Sequence, residues 1–182
     1  MATDRRFCRF NRQEDNRAFG MTEVPDGGMC LSAFVLVSPP GEPWAVLMGH
    51  LNPDAPWDHM GALDAARALA NARGWMLPSS HFIFREGPEG AAARIAREQL
   101  GIERLELVGP KVVSESYLSK RFPNGPDHWD LEFIFRGAMR KEDIHPVIAW
   151  RELRFVDTRS LARSDIARSH EDILQSAGFA LP

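Results

Sequence analysis

The chain's 182 residues suit one domain with a sizeable core, and a formal net charge of -3 excludes a strongly basic surface for nucleic acid. Hydrophobic residues at 44% and charged residues at 26% are globular values, and no run of about 18 apolar residues offers a membrane span. Only two cysteines occur, Cys8 and Cys30, without metal-ligand spacing, which fits a reducing, cytoplasmic compartment.

Residues 1–27 read as an N-terminal extension, because DRRFCRFNRQEDNRAFG mixes both charges and lacks a signal peptide's apolar stretch. Phe7, Phe10 and Phe19 suit packing on the chain's own domain or on a second copy, which leaves a homodimer open. Val24-Pro25-Asp26-Gly27-Gly28 is turn chemistry and marks the domain entry. Met29 to Val37, MCLSAFVLV, is almost unbroken apolar sequence and predicts a strand buried on both faces. Pro39-Pro40-Gly41 ends it, and Trp44 to Gly49 returns as a second strand. Leu51 to Gly61 reads as a loop and alanine-rich Ala62 to Ala72 as a helix. That insertion suits either a substrate-selecting segment or a structural cover.

Trp75 to Ile102, WMLPSSHFIFREGPEGAAARIAREQLGI, organises the chain. It reads as a short strand, a turn, a second strand and a well-bounded helix. Pro88 after Gly87 starts the helix, since a proline there gives up only a donor that had no partner. Glu89 suits the first turn, Ala91 to Leu100 are strong helix formers, and Gly101 is placed for a left-handed cap.

This segment resembles the Nudix box, G-x5-E-x7-R-E-U-x-E-E-x-G-U with U aliphatic. With Glu86 on the first acid, Arg94, Glu98, Gly101 and Ile102 fall on the arginine, a helix acid, the glycine and the last aliphatic. Leu77-Pro78 matches the dipeptide that commonly introduces the box. Four positions depart. Ser80 stands at the initial glycine, Arg85 where a glycine usually precedes the acid, Ile95 at the first helix acid and Gln99 at the last.

The resemblance, which spans Gly28 to Asp157, implies an α/β fold: a Nudix-like α/β/α sandwich with a mixed sheet between helices. It also implies cleavage of a diphosphate linked to another group, with Mg²⁺ or Mn²⁺ held by box carboxylates. Such hard cations want oxygen ligands, and they offset phosphate charge while helping to generate the attacking water. Positions 95, 98 and 99 share one helix face by their spacing. Here that face offers one glutamate, one amide and one isoleucine, so most of the charge is gone.

On this resemblance Glu98, Glu86 and Arg94 are the candidate catalytic set. Glu86 and Arg94 match the acid-arginine pair that holds the loop against the helix, and Glu98 suits either metal binding or a surface pair with Arg94. Some family members take an acid from outside the box. Glu132 is the candidate beside Glu98 for metal, with Asp130 and Glu115 as alternates.

Past the box, Glu103 to Tyr117 reads as a long strand or two, broken near Gly109-Pro110. Leu118 to His128 is a loop whose Lys120, Arg121, Phe122 and His128 suit phosphate binding and base stacking, or simple solvation. His81, just after Ser79-Ser80, is a further candidate to approach a phosphate. Asp130 to Arg136 alternates as a strand, with Leu131, Phe133 and Phe135 toward the core and Asp130, Glu132 and Ile134 opposite. Trp150 to Val156 is the last strand, and Ser160 to Gly178 reads as a final helix broken near Ser164.

No G-x-S-x-G, P-loop, dinucleotide fingerprint or H-E-x-x-H occurs. The expected domain is 28–158, with 159–182 packing on it. The expected function is recognition of a nucleoside diphosphate derivative with weak or lost metal-dependent hydrolysis. The alternative is an active divergent hydrolase using Glu98 and an acid outside the box.

Overall fold

The computed structural model describes residues 9–10, 29–118 and 127–182. The apolar run forms β2 (Met29–Ser38), the centre of the larger sheet. β7 (Asp127–Ala138) lies parallel along one edge of β2 and carries β6 (Leu107–Leu118) antiparallel beyond it. The other edge is shared by β1 (Arg9–Phe10), opposite Met29 and Cys30, and β5 (Ser79–His81), opposite Ser32 to Phe34. A second sheet has the order β4 (Trp75–Met76), β3 (Ala45–Leu51), β8 (Trp150–Asp157).

One segment, Trp75 to His81, belongs to both sheets and changes from one to the other at Leu77-Pro78. Pro78 has no N–H to give a ladder, and its carbonyl accepts from Val35 N at 3.0 Å. The Leu77 N–H donates to Nδ1 of buried His170 at 3.0 Å. The crossover therefore leaves these buried backbone groups paired.

Side-chain alternation on β2 sets the layers. Ala33, Val35 and Val37 pack against Ala91, Ala92, Ile95 and Leu100 of α3 (Pro88–Leu100). Phe34 and Leu36 point the other way, to Ile173 and Leu174 of α4 (His170–Ser176). β7 repeats the division: Phe133 and Phe135 join the α3 side and Ile134 the α4 side. The result is a mixed sheet between helices, as expected.

A third cluster packs α1 (Trp57–Met60) and α2 (Ala65–Asn71) against Leu51, Met76 and Trp150. α1 lies where the sequence suggested only loop. Trp57 explains it: the ring is 1% exposed and its Nε1–H donates to Asn52 O at 2.9 Å.

α3 has the bounds its sequence announced, with Gly87 before it, Pro88 in the first turn and Gly101 left-handed at φ +71°. The break near Gly109-Pro110 is a register shift between Val108 and Lys111 inside one strand. The C-terminal helix is a correction. Short 3-10 turns occupy Thr158–Ser160 and Arg163–Asp165, and only His170–Ser176 is α-helical. Ala167 N is diverted to Trp75 O at 2.9 Å, and Arg168 and Ser169 take left-handed φ of 61° and 58°. Ile166, Ile173 and Leu174 are buried all the same.

Leu77 sits fully buried at the crossover. Leu77→Ala is expected to cost about 2–5 kcal/mol by cavity formation. Urea unfolding checks this as a lower midpoint with unchanged slope.

Candidate functional site

The loop between β5 and α3 is held by one guanidinium. Arg94 is 4% exposed; its Nε donates to Glu86 Oε1 at 2.8 Å and its Nη2 to Oε2 at 2.9 Å. The remaining donors reach His81 O at 2.9 Å and Ser80 Oγ at 3.2 Å. Glu86 Oε2 also accepts from Ile83 N at 3.0 Å. Both charges are thus committed to each other and to the loop backbone. Arg85 takes φ +70°, the conformation that favours a glycine at this position, and stands over the Phe84 ring.

The helix face behind this clamp is closed. Ile95 is fully buried in the apolar cluster with Ala33, Val35, Leu47 and Phe82. Gln99 is also fully buried, and its amide acts like a neighbouring strand along the outer edge of β5. Oε1 accepts from Ser79 N at 3.0 Å, while Nε2 donates to Ser79 O at 2.8 Å and to Met60 O at 3.1 Å. Glu98 is half-buried, with Oε2 3.9 Å from Arg94 Nη1.

This donor set does not fit a Mg²⁺ or Mn²⁺ centre on α3. Ile95 has no ligand atom, the Gln99 amide is engaged by backbone, and the Glu86 carboxylate is engaged by Arg94. One glutamate is left where such ions need several oxygens.

A different polar group of residues lies on the α4 side of the large sheet. Glu132 pairs in register with Ser32 of β2 and Val113 of β6; Asp130 pairs with Cys30 and Glu115. Glu132 is 8% exposed, and its Oε2 has no hydrogen-bond partner among the described residues. Burial, then the charges of Glu115, Asp130 and Asp172, pushes the Glu132 carboxyl up to about 8. Glu115 is raised by burial and by Asp172 and Asp130. His81 Nδ1 is 3.2 Å from Ser32 Oγ, and His128 Nε2 is 2.9 Å from Asp130 Oδ1.

The structure therefore joins Glu86, Arg94 and Glu98 in one place and Glu132, Asp130, Glu115 and His128 in another. Of the two expected metal ligands, Glu98 lies on α3, whereas alternation along β7 turns Glu132 away from the face on which Phe133 packs toward α3. Lys120, Arg121 and Phe122 lie outside the described residues. Cys30, Ser32 and Asp172 join the second region. Nothing local in the sequence signals them, because register between distant strands brings them together. A separate groove of about 440 Å³, lined by Glu42, Trp44, Trp75, Lys141, Arg154 and Asp157, contains no residue of α3.

Arg94→Ala removes the bidentate cationic partner of a largely buried carboxylate and is expected to cost about 3–5 kcal/mol, read by denaturant unfolding. Glu132 makes stability depend on pH. Below its ordinary value of 4.5 both folded and unfolded chains hold the proton, so the group is neutral to stability. Between 4.5 and about 8 the unfolded chain loses it first, so stability falls as pH rises, with the full cost present above about 8. Glu132→Gln removes that cost. Its advantage over the parent in unfolding free energy, read by urea denaturation at several pH values, should widen across this window by on the order of a few kcal/mol; a constant difference would refute the assignment.

No family model and no curated protein matches the chain. Solved structures do. The Nudix domain of Shewanella oneidensis NrtR, complexed with ADP-ribose, superposes with a TM-score of 0.56 at 14% identity, over 91% of this chain and 92% of that one. RenU, a Nudix hydrolase from M. smegmatis, gives 0.50 at 20% identity, over 87% and 96%. Identities this low speak to architecture alone, and on that evidence the chain has the Nudix fold.

Proposed function

We propose that the chain recognises a nucleoside diphosphate derivative and carries weak or no box-dependent hydrolysis. The observation that supports this most is the complete burial of Ile95 and Gln99, two positions where the box would place metal-binding acids. The ligand class rests on the fold's neighbour that was solved with ADP-ribose. In this reading Glu86 and Arg94 are positioning residues that fix the loop beside His81. Lys120, Arg121, Phe122 and His128 are the proposed contacts to the ligand. The half-buried Glu98 supports a second reading, a divergent hydrolase completed by another acid.

A panel including ADP-ribose, with and without Mg²⁺ or Mn²⁺, separates the two. The binding module is expected to gain several degrees in Tm with one compound and to release no product. Metal-dependent turnover that disappears in Glu98→Gln would establish the hydrolase instead. Neither stabilisation nor turnover would sink both.

Gln99→Glu tests the closed face directly. It exchanges two donated hydrogen bonds for a carboxylate facing Ser79 O and Met60 O. A loss of about 1–3 kcal/mol is expected. A divalent cation between these oxygens should restore part of it, seen as a Tm that rises with Mn²⁺ in the variant and not in the parent.

A further inference from the structure

Cys30, His128 and Asp130 are far apart or unremarkably spaced in sequence, and the large sheet gathers them. β2 runs parallel to β7 with Cys30 beside Asp130, and His128 stands two residues before Asp130, on the same face. A ligand atom from each, the Cys30 sulfur, a His128 ring nitrogen and an Asp130 carboxylate oxygen, lies within 4.8 Å of the other two. Ligands of a tetrahedral Zn²⁺ at bond lengths of about 2.0–2.3 Å stand roughly 3.3–3.8 Å apart, so the Cys30 sulfur would move in slightly while the 2.9 Å contact between His128 and Asp130 opens by a few tenths of an ångström.

An independent feature points the same way. Glu132 lies two residues beyond Asp130 on that face, 8% exposed, with Oε2 lacking any hydrogen-bond partner among the described residues. Glu115 faces Asp130 from β6. The region therefore holds a buried carboxyl oxygen that no hydrogen bond among the described residues uses, next to a thiol and an imidazole.

We propose that Cys30, His128 and Asp130 form a binding site for a borderline divalent cation of the Zn²⁺ class, with Glu132 as the adjacent carboxylate. Thiolate and imidazole select such an ion over Mg²⁺, which demands oxygen ligands in octahedral array. Three protein donors leave one tetrahedral position for water or for an oxygen of a bound ligand. The site is on the sheet face away from α3 and does not depend on whether the box hydrolyses anything.

Co²⁺ titration of the metal-stripped, full-length protein tests it. One equivalent should produce the visible bands of tetrahedral Co²⁺ and a near-ultraviolet thiolate-to-cobalt band, displaced by Zn²⁺ and untouched by excess Mg²⁺. Cys30→Ser should abolish the thiolate band, whereas Cys8→Ser should leave it. His128→Ala should weaken Zn²⁺ by more than the roughly hundredfold that loss of an outer partner alone can cause. Circular dichroism checks each variant for folding, and Cys30→Ala replaces Cys30→Ser if that one does not fold. No thiolate band in the parent, or a band that survives Cys30→Ser or is lost with Cys8→Ser, would overturn the site and leave only the hydrogen-bonded His128–Asp130 pair.

Discussion

The outer edge of β5 relies on side chains of α3 for its backbone pairing. A three-residue strand with one ladder leaves backbone donors and acceptors facing outward, and buried ones are costly if unpaired. Here side chains of α3 replace the missing strand. Gln99 pairs with both the N–H and the C=O of Ser79, and Arg94 takes His81 O. The same amide reaches Met60 O and so ties in the insertion that carries α1. Helix, edge strand and insertion are held by two side chains, and the closed state of the box face follows from this.

Each departure from the box then has a local physical counterpart. Ser80 lends its hydroxyl to Arg94 and donates to His81 O at 3.1 Å. Arg85 holds a left-handed backbone with its guanidinium on Phe84. Ile95 fills core volume that a carboxylate could occupy only at a large desolvation cost. Gln99 supplies the two donated bonds that a glutamate lacks. At Ile95 and Gln99 the α3 face serves packing and backbone pairing.

The two faces of the large sheet consequently differ. The α3 side is apolar at its centre and polar along the β5 edge, where Gln99 and the mutually neutralising Glu86–Arg94 pair lie. The α4 side is apolar at one end, around Phe34, Leu36 and Ile134, and polar at the other, around Ser32, Asp130 and Glu132. Alternation along β2 and β7 makes this division sharp: one residue of slip would send Glu132 into the α3 core.

The sequence by itself determined α3 and its ends, because proline, glycine caps and helix propensity act within a few residues. It also determined the buried strand β2 and the alternation of β7, which depend only on local periodicity. From these and the box frame the Nudix fold was legible. The length of α4 was not, since Trp75 O, some 90 residues earlier in the chain, captures Ala167 N and stops a helix that local pattern favoured. Nor was the fate of Gln99, whose partners lie on β5 and α1. The neighbourhood of Cys30, His128, Asp130 and Glu132 was decided by tertiary structure alone. Strand register joins residues a hundred positions apart, and no spacing along the chain encodes which strand a given residue will face.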